Sequence, residues 1–433
     1  MPRILRLICL LGLSVAALTS STAQAAGPEI AVLYVKGTIN PVLVDYIERG
    51  IDQAEADNAA ACIIQLDTPG GLDVTMRDII QLMDRAQVPI VVYVPPGARA
   101  ASAGFFITIA ADVAAMAPDS AIGAATPVTL GGDGEAGISE EMKAKIINDA
   151  VAYARAIAQA HGRNVEWAEK AVREAASVSA SEALELNVID IVASSLDDLI
   201  SQLDGWPVTM ADGSQVILNT QGATTKDIEM TTIEAFLFAI SDPNIAYVLL
   251  SLASLGIMVE IFNPGLIFPG VVGAISGLLA FYSLGMLPVN YAGILLIVLA
   301  FGLFIAEAFT PTFGLFSAGG LASLIFGSLI LFKGGPLFKV DITLIIIVAV
   351  FFAALFAFVI NRVIAAHRRQ AATGREELIG KKATVRTLLE PEGTIFHEGE
   401  IWRAVLDKGR AEPGEEVIIT RAEGLKLYVT KKT

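Results

Sequence analysis

Between residues 244 and 361 the chain carries five apolar stretches, at about 244–262, 266–287, 291–309, 317–333 and 341–361. A helix needs roughly 17–25 apolar residues to cross a bilayer, where no water satisfies the backbone. Each stretch is near that length. Breaks such as "NPGLIFPG" and "TPTFG" turn neighbouring helices into antiparallel hairpins, so we read five spans. With 54% hydrophobic and 17% charged residues, the chain is too apolar for an ordinary soluble protein.

The ends set the direction of the spans. Arg3 and Arg6 precede an apolar run from Ile8 to Leu18, and Ala23-Gln24-Ala25 comes next as a small-x-small cleavage pattern. Residues 1–25 therefore read as a signal peptide, and the domain after it is exported. Arg362, Arg368 and Arg369 come after the last span, which places that end in the cytoplasm by the positive-inside rule. An outside N-terminal domain and an inside C-terminus need an odd number of spans, which fits five. Lys333 and Lys339 would then lie outside, against the rule. The setting is the inner (cell) membrane of a bacterium. Within the spans, "EIFNPG" at Glu260 and "EAFTPT" at Glu307 stand 47 residues apart, and Gly273 with Gly320 and Ser276 with Ser323 keep that offset. Two related hairpins are one reading of this weak repeat; chance likeness between apolar helices is the other.

Residues 29–205 have soluble character. Strand-like runs "EIAVLYVKG", "AACIIQLDTPG", "VPIVVYVP" and "DVAAMAPDSAIGA" alternate with helical patterns, which implies βαβ units and a mostly parallel sheet. A long helix is expected from about Glu140 to His161. Residues 201–230 are polar and mixed and read as a short strand pair and a linker, with 206–243 as the linking region. Residues 377–433 hold five short strands with Gly/Pro turns, enough for a small OB-like barrel. The net charge of −15 and the lack of a basic-aromatic track exclude a nucleic-acid surface. Of the two cysteines, Cys9 lies in the leader and Cys62 is left without a partner. His161, His367 and His397 are scattered, so no disulfide framework or metal site is expected.

Two glycine-bearing stretches carry the chemistry. "QLDTPGGLDVTMRD" runs from a strand through Gly70-Gly71 into a helix, and amides freed at such a turn suit an anion. An ordinary βα turn would look the same. "ARAASAGFFITIAAD" places Ser102 among small residues where a strand passes into a helix. By residue pattern it is a helix cap. As a nucleophile it would gain the helix dipole, the Ala103 amide and room for a substrate chain. A serine needs a base. His161 sits in polar "AQAHGRN"; Lys143 and Lys145 lie at a loop-to-helix junction, and a lysine serves only where burial keeps it neutral.

In order, "LDTPGG", "ASAGFFI", "MAPDSAIGAATPV", "KIINDAVAYARAIAQAHGRN" and "SASEALELNVID" resemble the long-form NfeD family of membrane-bound serine proteases. These are of the ClpP class, distantly similar to the crotonase fold. The resemblance spans the whole chain: a ClpP-like α/β domain, a multi-span α-helical region and a C-terminal OB-like barrel. It implies a Ser-Lys dyad, with Ser102 as nucleophile and Lys145 as general base. It also implies an oxyanion hole at Gly70, Gly71 and Ala103. It implies no cofactor and no metal, apolar segments of membrane proteins as substrates, a stomatin- or flotillin-like partner, and a homo-oligomer. A helical wheel disagrees on one point. If the helix already runs through 143, Lys143 lies with Ile147 and Ala150 on the apolar side and Lys145 faces away, so Lys143 is the reserve. Three rivals remain: a catalytically silent scaffold, a crotonase-like acyl-CoA enzyme, against which export argues, and a transporter resting on the weak repeat.

Overall fold

The structure, a computed structural model, describes residues 27–128, 139–211, 213–310, 312, 314–333, 335–367 and 378–431. The expected leader, Arg368 and Arg369 lie outside the described residues. The chain divides into two compact units: the N-terminal domain with most of the apolar helices, and the C-terminal barrel with residues 307–317 and the end of the last apolar helix.

The first unit begins β1 (Glu29–Lys36), α1 (Pro41–Ala56), β2 (Ala61–Asp67), α2 (Asp73–Arg85), β3 (Ile90–Val94), β4 (Arg99–Ala101), α3 (Ala103–Ile109), β5 (Val113–Met116) and β6 (Ala121–Gly123). It continues with α4 (Glu140–Ala160), α5 (Val165–Arg173), β7 (Ser177–Ser179), α6 (Ala180–Glu185), β8 (Ile191–Val192), α7 (Leu196–Leu203), β9 (Pro207–Thr209), β10 (Gln215–Ile217) and β11 (Thr224–Ile228). Six strands pair in the order β11-β1-β2-β3-β5-β8, all parallel. Both faces are covered, which is why these strands are apolar throughout rather than alternating. Ala31, Leu33, Val35, Cys62, Ile64 and Leu66 point into the core under α1–α5. Ile30, Val32, Ala61 and Ile63 point to the other side, against Leu199, Leu203 and Val208. Local chemistry starts the helices. Asn40 accepts from the Val42 N–H with Pro41 in the first turn of α1, and Asn164 caps α5 through the Trp167 N–H.

Two readings need correction. "DVAAMAPDSAIGA" is not one strand: β5 stays in the main sheet, while β6 joins a second sheet of order β4-β6-β7 after the intervening Pro118-Asp119-Ser120 turn. Nor is 206–243 a simple linker. β9 and β10 are the strand pair, a hairpin whose Val208 packs on the sheet, and β11 adds an edge strand parallel to β1. "TTKDI" is polar because an edge strand is only half covered, so it carries no apolar signal. Next, α8 (Thr232–Ile240) opens with a reciprocal Thr231/Glu234 cap, and Glu234 also takes two bonds from Arg49 of α1, at 2.7 and 2.8 Å.

The apolar helices come next: α9 (Pro243–Phe262), α10 (Ile267–Met286), α11 (Tyr291–Phe309), α12 (Leu315–Leu329) and α13 (Ile342–His367). Among the described residues four are long and apolar enough to cross a membrane; α12, with 15 residues, is shorter. Glycine lets the helix pairs touch. A β-carbon on Gly256 of α9 would lie 2.6 Å from the Gly273 Cα of α10, and one on Gly327 of α12 would lie 2.9 Å from the Gly293 carbonyl oxygen of α11. The weak repeat has a physical basis. Gly273 and Ser276, like Gly320 and Ser323, face inward. Glu260 accepts from the Gly265 N–H, and Glu307 from the N–H groups of Thr312, Gly314, Phe316 and Ser317, so each carboxylate ties down the turn after its helix.

In the second unit β12 (Lys382–Thr387), β13 (Glu392–His397), β14 (Glu400–Leu406), β15 (Glu416–Glu423) and β16 (Lys426–Lys431) close a barrel of order β12-β13-β14-β16-β15. Val385, Ile395, Leu406, Val417, Ile419 and Val429 fill it. These are the five strands and the small barrel expected from sequence.

Candidate active site

Ser102 follows β4 and precedes α3, with φ 54° and ψ −115°. Positive φ is costly for a residue with a β-carbon, by about 1–3 kcal/mol, and persists only where the surroundings enforce it. Here they do. The Ser102 N–H donates to the Gly123 carbonyl at 3.0 Å, and its carbonyl accepts from the Phe105 N–H at 3.0 Å. The hydroxyl makes no cap bond, so the helix-cap reading does not describe it. The small residues around it are packed rather than left open. Ala100 and Ala103 are buried, and a β-carbon on Gly104 would lie 2.4 Å from Thr68 Cγ2. They let α3 sit tightly on the end of β2. A serine held at a sharp strand-to-helix turn is the geometry that exposes a nucleophile.

Gly70 stands against it. Its φ is 125°, and a β-carbon there would lie 2.7 Å from Ser102 Cβ and 3.1 Å from Ser102 Oγ. Thr68 holds the turn. Its Oγ1 accepts from the Gly70 N–H at 3.0 Å and donates to the Gly70 carbonyl at 3.1 Å. The Gly70 amide is therefore already engaged. Ile39 bridges Gly71 through the Gly70 carbonyl and the Leu72 N–H. In a parallel bridge of this kind the central residue's own N–H points away from its partner. Among the described residues neither the Gly71 nor the Ala103 N–H has a backbone acceptor. Thr68 carries no signal in the sequence, since a threonine two residues before a glycine is common in turns.

The lysines are placed differently. Ser139 caps α4 through the Met142 N–H, so the helix does run through 143. Lys143 pairs with Glu140 at 3.0 Å and is 46% exposed; Lys145 pairs with Glu141 at 3.8 Å and is 68% exposed. Neither is hydrogen-bonded to Ser102. Residues 129–138, which hold most of the glycine-rich junction, lie outside the described residues. The wheel needs refinement. Lys145, Asp149 and Tyr153 recur every four residues on one side of α4. Asp149 pairs with Arg77 of α2 at 2.7 Å, Tyr153 lies under the Arg77 guanidinium at 4.3 Å, and its ring stacks on Phe106 of α3 at 6.0 Å. That side meets the two helices that begin at the glycine turn and at Ser102. Lys143 aligns instead with Ile147 and the buried Val151. His161 caps the other end of α4, about 24 Å from Lys145 at 1.5 Å per residue. Burial, aided by Arg163, lowers its pKa to about 4, so it is neutral near pH 7.

Comparison with known proteins agrees with this architecture. Family models described as the NfeD1b N-terminal domain, the NfeD integral membrane domain and the NfeD-like C-terminal, partner-binding domain match residues 29–211, 244–362 and 375–431. The chain is 39% identical over 413 residues to the membrane-bound protease PH1510 of Pyrococcus horikoshii, covering 93% of each. It is 26% identical over 436 residues to the membrane protein NfeD1b of Bacillus subtilis, covering 94% of each. A solved structure of the 1510-N membrane protease, specific for a stomatin homologue from Pyrococcus horikoshii, is 32% identical with a TM-score of 0.44, and covers 50% of this chain and all of that one. The identity to PH1510 along nearly the full length, and a match to every NfeD domain in order, establish that this chain belongs to the NfeD family in its long, membrane-spanning form.

Proposed function

We propose that this protein is a membrane-anchored serine endopeptidase with a Ser-Lys dyad. One observation carries the reading: Ser102 is held in a costly backbone conformation, its hydroxyl caps nothing, and it faces Gly70, where an added β-carbon would displace it. Neutral Lys145 takes the Ser102 proton, and Oγ attacks the scissile carbonyl. The Gly71 and Ala103 amides hold the resulting oxyanion, while Gly70 leaves room for it. Collapse breaks the C–N bond as Lys145 returns the proton to the leaving amine. Water, deprotonated by Lys145, then attacks the acyl carbonyl; the C–O bond to Ser102 breaks as Lys145 returns the proton to Oγ, freeing the acid and restoring the serine. For this the Lys145 amine must leave water, and we assign that step to an arriving peptide or a second copy of the chain. The substrates are apolar segments of membrane-associated proteins. The C-terminal barrel, matched by a partner-binding domain, docks a stomatin- or flotillin-like membrane protein. The N-terminal domain faces outward and the C-terminal domain the cytoplasm, an orientation that requires the 15-residue α12 to cross as the fifth span.

The test uses the full chain in lipid nanodiscs, with apolar peptides and a fluorophosphonate probe. Wild type should cleave and label, and Ser102→Ala should lose both, cleavage by about a thousandfold or more. The solvated lysines also favour a second reading, a silent scaffold. Folded wild type that neither cleaves nor labels at Ser102 would establish it.

A further inference from the structure

The point where a Gly70 β-carbon would sit is 3.5 Å from Leu337 Cδ1 as well as 3.1 Å from Ser102 Oγ. Leu337 does not belong to the α/β domain; it lies between α12 and α13. A second contact joins the same segment to the α/β domain. A β-carbon on Gly335 would lie 2.7 Å from Val128 Cγ1. Val128 is the last described residue of the stretch that continues from β6, whose Gly123 carbonyl holds the Ser102 N–H. Ala124, Ala125 and Thr126 fix that stretch on Ala176, Ala171 and Val172.

The segment is anchored at both ends. The Lys333 N–H donates to the Pro288 carbonyl at 2.7 Å, the Asn290 N–H to the Leu331 carbonyl at 2.8 Å, and the Asp341 N–H to Asn244 Oδ1 at 2.7 Å. Phe338 and Val340 are buried at 5% and 8% exposure, yet Leu337 beside them is 37% exposed and Val128 is 61% exposed. A plug would bury its own side chain. This segment instead leaves one leucine open beside the serine, where burying apolar area against a ligand is favourable.

We infer that the membrane region supplies part of the active site: Leu337, with Val128, forms an apolar subsite that selects an apolar substrate residue next to the scissile bond. The inference rests on the endopeptidase reading and deepens it. The spans then place a wall of the cleft as well as tether the domain.

The full chain in lipid nanodiscs provides two readouts. Photoreactive benzoylphenylalanine at position 337 should crosslink to the Gly70–Leu72 turn or to Ser102; crosslinks confined to the apolar helices overturn the inference. In a peptide series whose residue next to the scissile bond runs from alanine to phenylalanine, Leu337→Ala should narrow the preference for large apolar residues about tenfold in kcat/KM. Leu337→Trp should move the preference towards small residues. An unchanged profile, with cleavage still dependent on Ser102, overturns the subsite and leaves the peptidase standing. Wild type without Ser102-dependent cleavage removes the peptidase and the subsite together.

Discussion

At the serine corner every neighbour is fixed. Ser102 is bonded through its own N–H and carbonyl, Gly70 is clasped by Thr68, and Gly104 leaves no gap against β2. At the first turn of α4 the opposite holds. Lys143 and Lys145 stand in water, each paired with a glutamate on its own helix. Exposed pairs of this kind contribute about 0–1 kcal/mol and give way easily. Under the proposed endopeptidase reading, the contrast would make the nucleophile and its oxyanion donors preorganised by the fold, and the base delivered by whatever desolvates the start of α4. Such an enzyme is idle until substrate or another copy of the chain arrives.

The largest expected effect tests the delivered half. Lys145→Ala in the full chain should lower kcat/KM by about 10²–10⁴, the usual contribution of a general base. Lys143→Ala should change it only a few-fold. The reverse pattern would move the base to Lys143, on the side that packs into the core. Loss with neither variant would mean that the first turn of α4 takes no part in the chemistry.

The fixed half is tested by a pair of glycines. Gly70→Ala would drive a β-carbon into Ser102 at φ 125°, and should cost about 10² in rate, since an ångström of misplacement is worth that much. Gly97→Ala also takes a positive φ, at 72°, but has no atom within 4 Å of the new carbon, so activity should survive. Equal rates in the two variants, measured with the fluorophosphonate probe, would show that Gly70 matters only for its backbone.

The serine half was also the more legible in the sequence. "LDTPGG" and "ASAG" name the residues that meet, because a parallel bridge between Thr68 and Ala100 draws the turn after β2 and the corner after β4 together. The sheet and the barrel were legible because apolar runs record burial on both faces in the central strands of the sheet, and alternation between apolar and polar residues records one buried face in the barrel strands. The features that escaped the reading were set by tertiary contact. Thr68 looks like any turn threonine, β11 is too polar to announce a strand, and Leu337 lies 235 positions from Ser102 inside a stretch that composition marks only as a break between helices. The choice between lysines could not come from a wheel alone, since both sides of α4 are packed: one against the core, the other against Arg77 and Phe106.

The smallest effect sharpens the comparison along α4 itself, whose far end is as fixed as its start is loose. There Arg163, 5% exposed, joins the Ile109 carbonyl at 2.7 Å and Asp190 at 2.6 Å beside half-buried His161. Burial lowers the His161 pKa from 6.5 to about 4, so its contribution is complete above pH 6.5 and is lost as pH falls through 4. Burial raises the Asp112 pKa from 3.8 to about 6, against the bond from the Ile90 N–H and the pull of Arg163. Its contribution is complete below pH 3.8 and is lost as pH rises through 6. Between pH 6.5 and 4 the two oppose each other, each on the order of 1–3 kcal/mol. His161→Gln should therefore gain thermal stability on acidification relative to wild type, and Asp112→Asn should lose more than wild type does. Melting curves of the three proteins at about pH 7, above this window, and at about pH 4.5, near its lower end, measure both signs. If His161→Gln tracks wild type at both pH values, the imidazole is not held neutral by burial, and the far end of α4 is no firmer than the turn that carries the lysines.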